Sequence, residues 1–264
     1  MYSYETLIVE SDARGVATLT LDRSEKHNAM SAKMIAELTQ AAKALGADDS
    51  VRAVILTGAG KSFCAGGDLG WMQDQMAADP ETRFIEARKL ALALQALNTL
   101  PKPLIGALQG NAFGGGVGLA SVCDVTLGAD HLKMGLTETR LGLIPATIGP
   151  YVIARMGEAR ARRVFMSARL FDAAEAVELG LLARTVPVEE LMAAAQAEVL
   201  PYLSCAPGAV AAAKRLTRDL GPRIDEAVID HTIRALVDRW EGEEAKEGIA
   251  AFFGKRKPGW VQGG

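Results

Sequence analysis

Short apolar stretches and longer helical periods alternate along the first half of the chain. Residues 6–10 and 16–22 are rich in β-forming side chains and flank Asp12-Ala13-Arg14-Gly15, a turn composition, so they predict a hairpin. The apolar runs 51–57, 104–108 and 125–128 have the length of buried strands. Between them, Met34, Ile35, Leu38, Ala41, Ala42 and Leu45 recur at helical spacing behind Ser31, a good N-cap, which predicts a helix over 32–45. A second amphipathic helix is expected over 80–100, stopped by Pro101 and Pro103. From residue 151 onward the pattern is almost wholly helical. Further helices are expected at 189–203, 207–220, 222–240 and 243–253, with Pro207 and Pro222 suited to helix starts.

Two strand predictions run directly into glycine. The run 51–57 leads into Gly58-Ala59-Gly60-Lys61-Ser62-Phe63-Cys64-Ala65-Gly66-Gly67-Asp68-Leu69, and 104–108 leads into Gly110-Asn111-Ala112-Phe113-Gly114-Gly115-Gly116-Val117-Gly118-Leu119-Ala120-Ser121-Val122-Cys123-Asp124. Consecutive glycines let another molecule approach the main chain, and a helix that starts there points its first free N–H groups at that molecule. The alternative is tight helix packing. In open α/β sheets ligands bind at the carboxyl ends of strands, so the two turns are placed to face one pocket. Gly60-Lys61-Ser62 is not a P-loop, because Ile55 stands where that pattern needs glycine. Nor does Gly114 to Leu119 satisfy the dinucleotide fingerprint. Asp68 reads as an N-cap or turn residue before a direct chemical role.

The 264 residues, 49% hydrophobic and 23% charged, suffice for one large α/β domain or a domain with a helical appendage. A net charge of -3 does not suggest a nucleic-acid binder, and Arg155, Arg160, Arg162, Arg163 and Arg169 fit an ion-paired helix face better than an RNA contact. Cys64, Cys123 and Cys205 are odd in number and widely spaced, which reads as reduced core thiols of a cytoplasmic protein. The uncharged run 103–123 is long enough to span a bilayer, yet Gln109, Asn111 and five glycines after 109 fit strand, turn and helix better. No basic and apolar signal segment opens the chain.

Candidate chemistry follows by elimination. No Gly-x-Ser-x-Gly elbow is present, the three histidines are far apart, and no His-x-x-x-His or Cys-x-x-Cys spacing offers a metal site. There remain two glycine turns and Glu138, an acid in the apolar, glycine-rich segment 133–150. Burial would raise its pKa and suit it to proton transfer, the alternative being a salt bridge or cap. Two peptide N–H groups on one oxygen would stabilise an enolate. Lys26 and His27 offer a phosphate contact or a solvated loop pair.

Phe63-Cys64-Ala65-Gly66-Gly67-Asp68-Leu69, the run Gly110 to Asp124, and Met134-Gly135 through Glu138 to Gly142 and Pro145 resemble the crotonase, or enoyl-CoA hydratase/isomerase, superfamily. The likeness extends from the first hairpin to Lys255-Arg256-Lys257-Pro258. It implies an α/β spiral of ββα units forming an acyl-CoA-binding core over 1–200, then a helical trimerisation region over 201–264, assembled as a homotrimer or dimer of trimers. By the same resemblance, the N–H groups of Gly67 and Gly115 would form an oxyanion hole. Ala65, Gly67, Asp68, Leu69 and Gly70 would belong to the CoA-binding loop, with Lys26 as a phosphate contact. Coenzyme A would enter as part of the substrate, with no separate cofactor, metal, membrane or nucleic-acid partner. Of the two glutamates of typical hydratases, the second matches Glu138 and the first falls at Gly118. The segments Gly114 to Leu119 and Thr137 to Pro150 are similar to a bacterial branch of 3-methylglutaconyl-CoA or related branched enoyl-CoA hydratases. The expected activity is therefore hydration of an enoyl-CoA, the alternatives being Δ3,Δ2-enoyl-CoA isomerisation with Glu138 as sole proton carrier and, outside enzymes, RNA binding.

Overall fold

The computed structural model describes residues 3–261. Strands β1 (Leu7–Ser11) and β2 (Val16–Leu21) form the expected antiparallel hairpin. Helix α1 (Ala32–Ala47) starts where Ser31 Oγ accepts the Met34 amide. Three ββ units follow. In each, a longer strand is succeeded after a few residues by a strand of three: β3 (Ala53–Gly58) and β4 (Ser62–Cys64), β5 (Leu104–Leu108) and β6 (Asn111–Phe113), β7 (Val125–Ala129) and β8 (Lys133–Gly135). Helices α2 (Leu69–Ala77) and α3 (Pro80–Asn98) lie between the first two units, and α4 (Gly115–Val122) lies between the second and third.

The first strand of each unit joins a large sheet and the second a small one, so the chain winds as a spiral. After the third unit come α5 (Gly149–Met156), α6 (Glu158–Phe165), β9 (Leu170–Asp172), α7 (Ala173–Glu178) and β10 (Arg184–Val186). The large sheet runs β1-β2-β3-β5-β7-β10, parallel except for the hairpin, and the small sheet runs β4-β6-β8-β9, antiparallel only at β9. Helices α8 (Leu191–Leu203), α9 (Pro207–Leu220), α10 (Glu226–Trp240) and α11 (Glu243–Phe253) complete the chain.

Both faces of the large sheet are covered, which is why β3 and β5 read as apolar runs rather than alternating ones. Val54 and Leu56 face the main core with Leu38, Leu94 and Val117, while Ala53 and Ile55 face Leu191, Ala195 and Val199 of α8.

The structure corrects several expectations. The region after 151 is interrupted by β9 and β10, and α5 and α6 are separate helices divided by Gly157, whose φ is +76°. Pro222 does not start α10; Asp225 does, its side chain accepting the Val228 amide. Cys205 is exposed, so only Cys64 and Cys123 are core thiols, both pushed up to about 12 by burial. The arginine cluster disperses. Arg155 donates to the Cys123 and Asp124 carbonyls, Arg162 pairs with Glu158, and Arg163 and Arg169 share Glu175. Among the described residues no helix is long and apolar enough to cross a membrane, and no three metal-binding side chains converge.

Candidate active site

The turn after β4 is held by a short parallel bridge. The Met30 amide donates to the Gly66 carbonyl at 2.8 Å and the Asp68 amide to the Met30 carbonyl at 3.1 Å, leaving the Gly67 amide between them. Gly66 has a φ of +96°, a conformation that disfavours any Cβ. Asp68 then caps α2, accepting from Gly70 N at 2.8 Å and Trp71 N at 3.3 Å, and its other oxygen meets Arg23 at 3.0 Å. Burial pushes the Asp68 pKa up, but Arg23 and the two amides outweigh it and hold the carboxylate below its usual range.

The second turn follows β6. Gly114, with φ +47°, donates to the Gly135 carbonyl at 2.9 Å, and Gly115 is the first residue of α4, where helix amides lack an intrahelical acceptor. Among the described residues, neither the Gly67 nor the Gly115 amide donates a hydrogen bond. The turns touch: a Cβ built on Gly66 would lie 3.8 Å from the Gly115 nitrogen, and one on Gly115 would lie 3.9 Å from Gly66 Cα.

Glu138 opens a 3-10 turn, Glu138–Leu141, after β8. A Cβ on Gly114 would stand 3.0 Å from Glu138 Oε1, so the carboxyl sits against the same glycine wall. Its Oε2 is buried with no hydrogen-bond partner, and burial pushes its pKa up to about 7, only partly offset by its own backbone amide. Gly67, Gly115 and Glu138 line one cavity of about 460 Å³. A pair of amides there can polarise a carbonyl while an adjacent carboxyl moves a proton.

Gly118 lies one turn into α4. A Cβ at this position would meet Ile148 Cγ2 at 2.5 Å and Leu94 Cδ1 at 3.4 Å, so an apolar side chain fills the place that an acid would need. Of the expected CoA-loop residues, Ala65, Gly67 and Leu69 line the cavity; Asp68, Gly70 and Lys26 do not. Asp68 is engaged as a cap, and Lys26 is exposed beside His27, whose carbonyl accepts the Ala65 amide at 3.0 Å.

The family model described as enoyl-CoA hydratase/isomerase matches residues 11–263. The chain belongs to the enoyl-CoA hydratase/isomerase family. The Mycobacterium tuberculosis protein named probable enoyl-CoA hydratase echA8 is 36% identical over 258 residues, covering 97% of this chain and 98% of that protein. The crystal structure of an enoyl-CoA hydratase from Shewanella pealeana is 38% identical with a TM-score of 0.80, covering 97% of this chain and 96% of that one. Pseudomonas aeruginosa AtuE is also 38% identical, with a TM-score of 0.79 and coverage of 98% and 100%. The spiral is thus the crotonase fold, and the protein is an enzyme of the hydratase/isomerase class.

Several features of this family member lie outside the sequence reading. Trp71, Met72 and Ile148 line the cavity, as do Leu236, Trp240 and Phe252 from the C-terminal helices. Those helices also support the catalytic candidate: a Cβ on Gly248 would lie 2.5 Å from the Leu141 carbonyl carbon, in the turn that carries Glu138. Nothing in spacing or composition marks the contributions of the C-terminal helices, because they meet the Glu138 segment from more than 90 residues away.

Proposed function

We propose that this enzyme adds water across the 2,3 double bond of an enoyl-CoA whose acyl group is branched and carboxylated, of the 3-methylglutaconyl type. Coenzyme A enters as part of the substrate and no further cofactor takes part. The reading is carried by the buried, unpartnered Glu138 carboxyl in one cavity with two unengaged glycine amides. Glu138 takes a proton from water as the oxygen bonds C3. The π pair moves toward the thioester oxygen, where the Gly67 and Gly115 amides hold the enolate. The enolate then reclaims the proton at C2, from Glu138 directly or through water, and the atoms of one water are added. The acyl carboxylate has a candidate partner in Arg140, which lines the cavity and forms no ion pair among the described residues.

One observation favours a second reading. Ile148 occupies the place of a second acid at Gly118, and a single carboxyl suffices to carry a proton from C2 to C4 of a 3-enoyl-CoA. Mass analysis after incubation with 2-enoyl, 3-enoyl and glutaconyl thioesters separates the two: hydration adds the mass of water, isomerisation leaves the mass unchanged. Glu138→Gln is expected to abolish either reaction. Wild-type turnover by that variant would overturn both.

The protein is further proposed to self-associate as a homotrimer or dimer of trimers through its C-terminal helices. Support comes from α9, none of whose residues is buried within the chain although Val210, Leu216 and Leu220 are apolar.

A further inference from the structure

A second cavity, of about 370 Å³, adjoins the active-site cavity of about 460 Å³, and Ile144 lines both. The segment 144–150, which leads from the Glu138 turn into α5, divides its other members between the two. Thr147 and Ile148 line the active site, whereas Pro145, Ala146, Gly149 and Pro150 line the second cavity. Helix α10 passes both, with Leu236 on the first and Thr232 and Ala235 on the second. The two spaces thus lie side by side along α10. The wall between them is one stretch of chain that thins to a single residue at Ile144.

This wall stands at the inner end of the active site. The active-site cavity is open where Leu69, Leu170 and Phe252 line it, exposed at 52%, 42% and 47%. It is closed where Leu143 and Ile148, before and after Ile144 in the chain, line it at 7% and 1%. Ile148 also covers Gly118, one turn deeper in α4 than the Gly115 amide proposed to hold the thioester oxygen. The bulky, charged CoA moiety leaves by the open side, so an acyl group held at its thioester extends toward the closed one. The space beyond the wall is apolar, with Ile153 and Phe165 on its far side. Ile144 is half-buried, and its main chain is held independently of its side chain. The Leu143 amide donates to the Glu138 carbonyl at 3.1 Å and the Ala146 amide to the Ile144 carbonyl at 2.8 Å, while Pro145 and Pro150 restrict the backbone. Trimming the side chain therefore leaves space rather than collapse.

We infer that Ile144 sets the length of acyl group this enzyme accepts: its side chain ends the acyl part of the cavity and shuts the chain out of the apolar space beyond. Short acyl groups, such as the one proposed above, then fill the cavity, and longer alkyl chains gain nothing from their extra carbons. The inference rests on acyl-CoA binding at this site and not on which reaction follows.

Binding of unreactive saturated acyl-CoA thioesters, from butyryl to dodecanoyl, is measured calorimetrically for the wild type and for Ile144→Ala, Ile144→Val and Ile144→Phe. Each buried methylene is worth about fourfold in affinity, so the wild type should gain with length until the chain meets Ile144 and then gain no more. In Ile144→Ala the plateau should move to longer chains, raising the ratio of decanoyl to butyryl affinity about tenfold or more. Ile144→Val should raise it less, and Ile144→Phe should move the plateau to shorter chains. Should Ile144→Ala fail to fold, the opposite shifts of the Val and Phe variants decide the matter. A wild-type affinity that climbs without a break to dodecanoyl, or one length profile shared by the wild type and its variants, would overturn the inference. Failure of the hydratase reading would appear differently, as absent turnover of 2-enoyl thioesters with the length profile intact.

Discussion

Burial leaves Glu138 with a pKa of about 7 against an ordinary 4.5, and two measurable consequences follow. As a base it must be ionised, so kcat/KM should rise with pH along a limb centred near 7, where an unperturbed glutamate would give a limb near 4.5. Stability runs the other way. Between 4.5 and 7 the folded state binds more protons than the unfolded state, so the carboxyl's contribution is complete at low pH and is lost as pH rises through 7. Glu138→Gln cannot ionise and escapes that loss. Its unfolding midpoint relative to wild type should climb between pH 5 and 8, and a constant difference would contradict burial as the cause. Glu138 and the two glycine turns were legible in the sequence because a lone acid among apolar residues and glycines at strand exits are local signals, whereas the choice of Gly67 and Gly115 within those turns came from the family resemblance. Ile148 was not legible, since a side chain filling the space above Gly118 exists only once separate segments are packed.

At the scale of elements, α4 is the part on which the site turns. All eight residues are buried, its first amide is proposed to meet the substrate oxygen, and Arg155 supplies positive charge just beyond its last turn. Its position is set by Gly116, where a Cβ would meet the Cys64 carbonyl oxygen at 2.4 Å and Cys64 Cβ at 3.0 Å. Neither of those groups can swing aside. Gly116→Ala should therefore cost about 1–3 kcal/mol of stability by overpacking. It should also lower kcat, because the helix start moves away from the Gly66–Gly67 turn, and loss of one such donor costs about 2.7–4 kcal/mol in the transition state. Ser121→Ala, at the far end of α4, removes only a bond to the Val117 carbonyl and should leave kcat unchanged; denaturant midpoints and kcat of the two variants test the contrast. The hairpin and the long strands and helices were readable from periodicity. The small sheet was not, because three-residue strands such as β4, β6 and β8 carry no period and are defined by pairing with one another. Helix α2 was missed because its glycine and exposed Leu69 give no apolar stripe.

For the molecule as a whole, the expected boundary at residue 200 falls inside α8, and the chain on either side of that helix lines one cavity. Helices α10 and α11 supply Leu236, Trp240 and Phe252 to it and brace the Glu138 turn, so this end of the chain completes the site from within the same protomer. Helix α9 does something else. One side is anchored, with Lys214 donating to Asp124 at 2.7 Å and to the Lys102 carbonyl at 3.0 Å. Leu216 and Leu220 are 57% and 80% exposed on the same helix. In the proposed assembly these apolar side chains are covered by a second copy of the chain. Sedimentation should give the wild type three or six times the protomer mass, and Leu216→Asp/Leu220→Asp should shift it toward the single protomer. Because the Lys214 anchor is untouched, the double variant should keep its helical content. A wild type that sediments as one chain would refute the assembly. An active protomer from the double variant would show that the cavity, lined by one chain's own residues, does not depend on it.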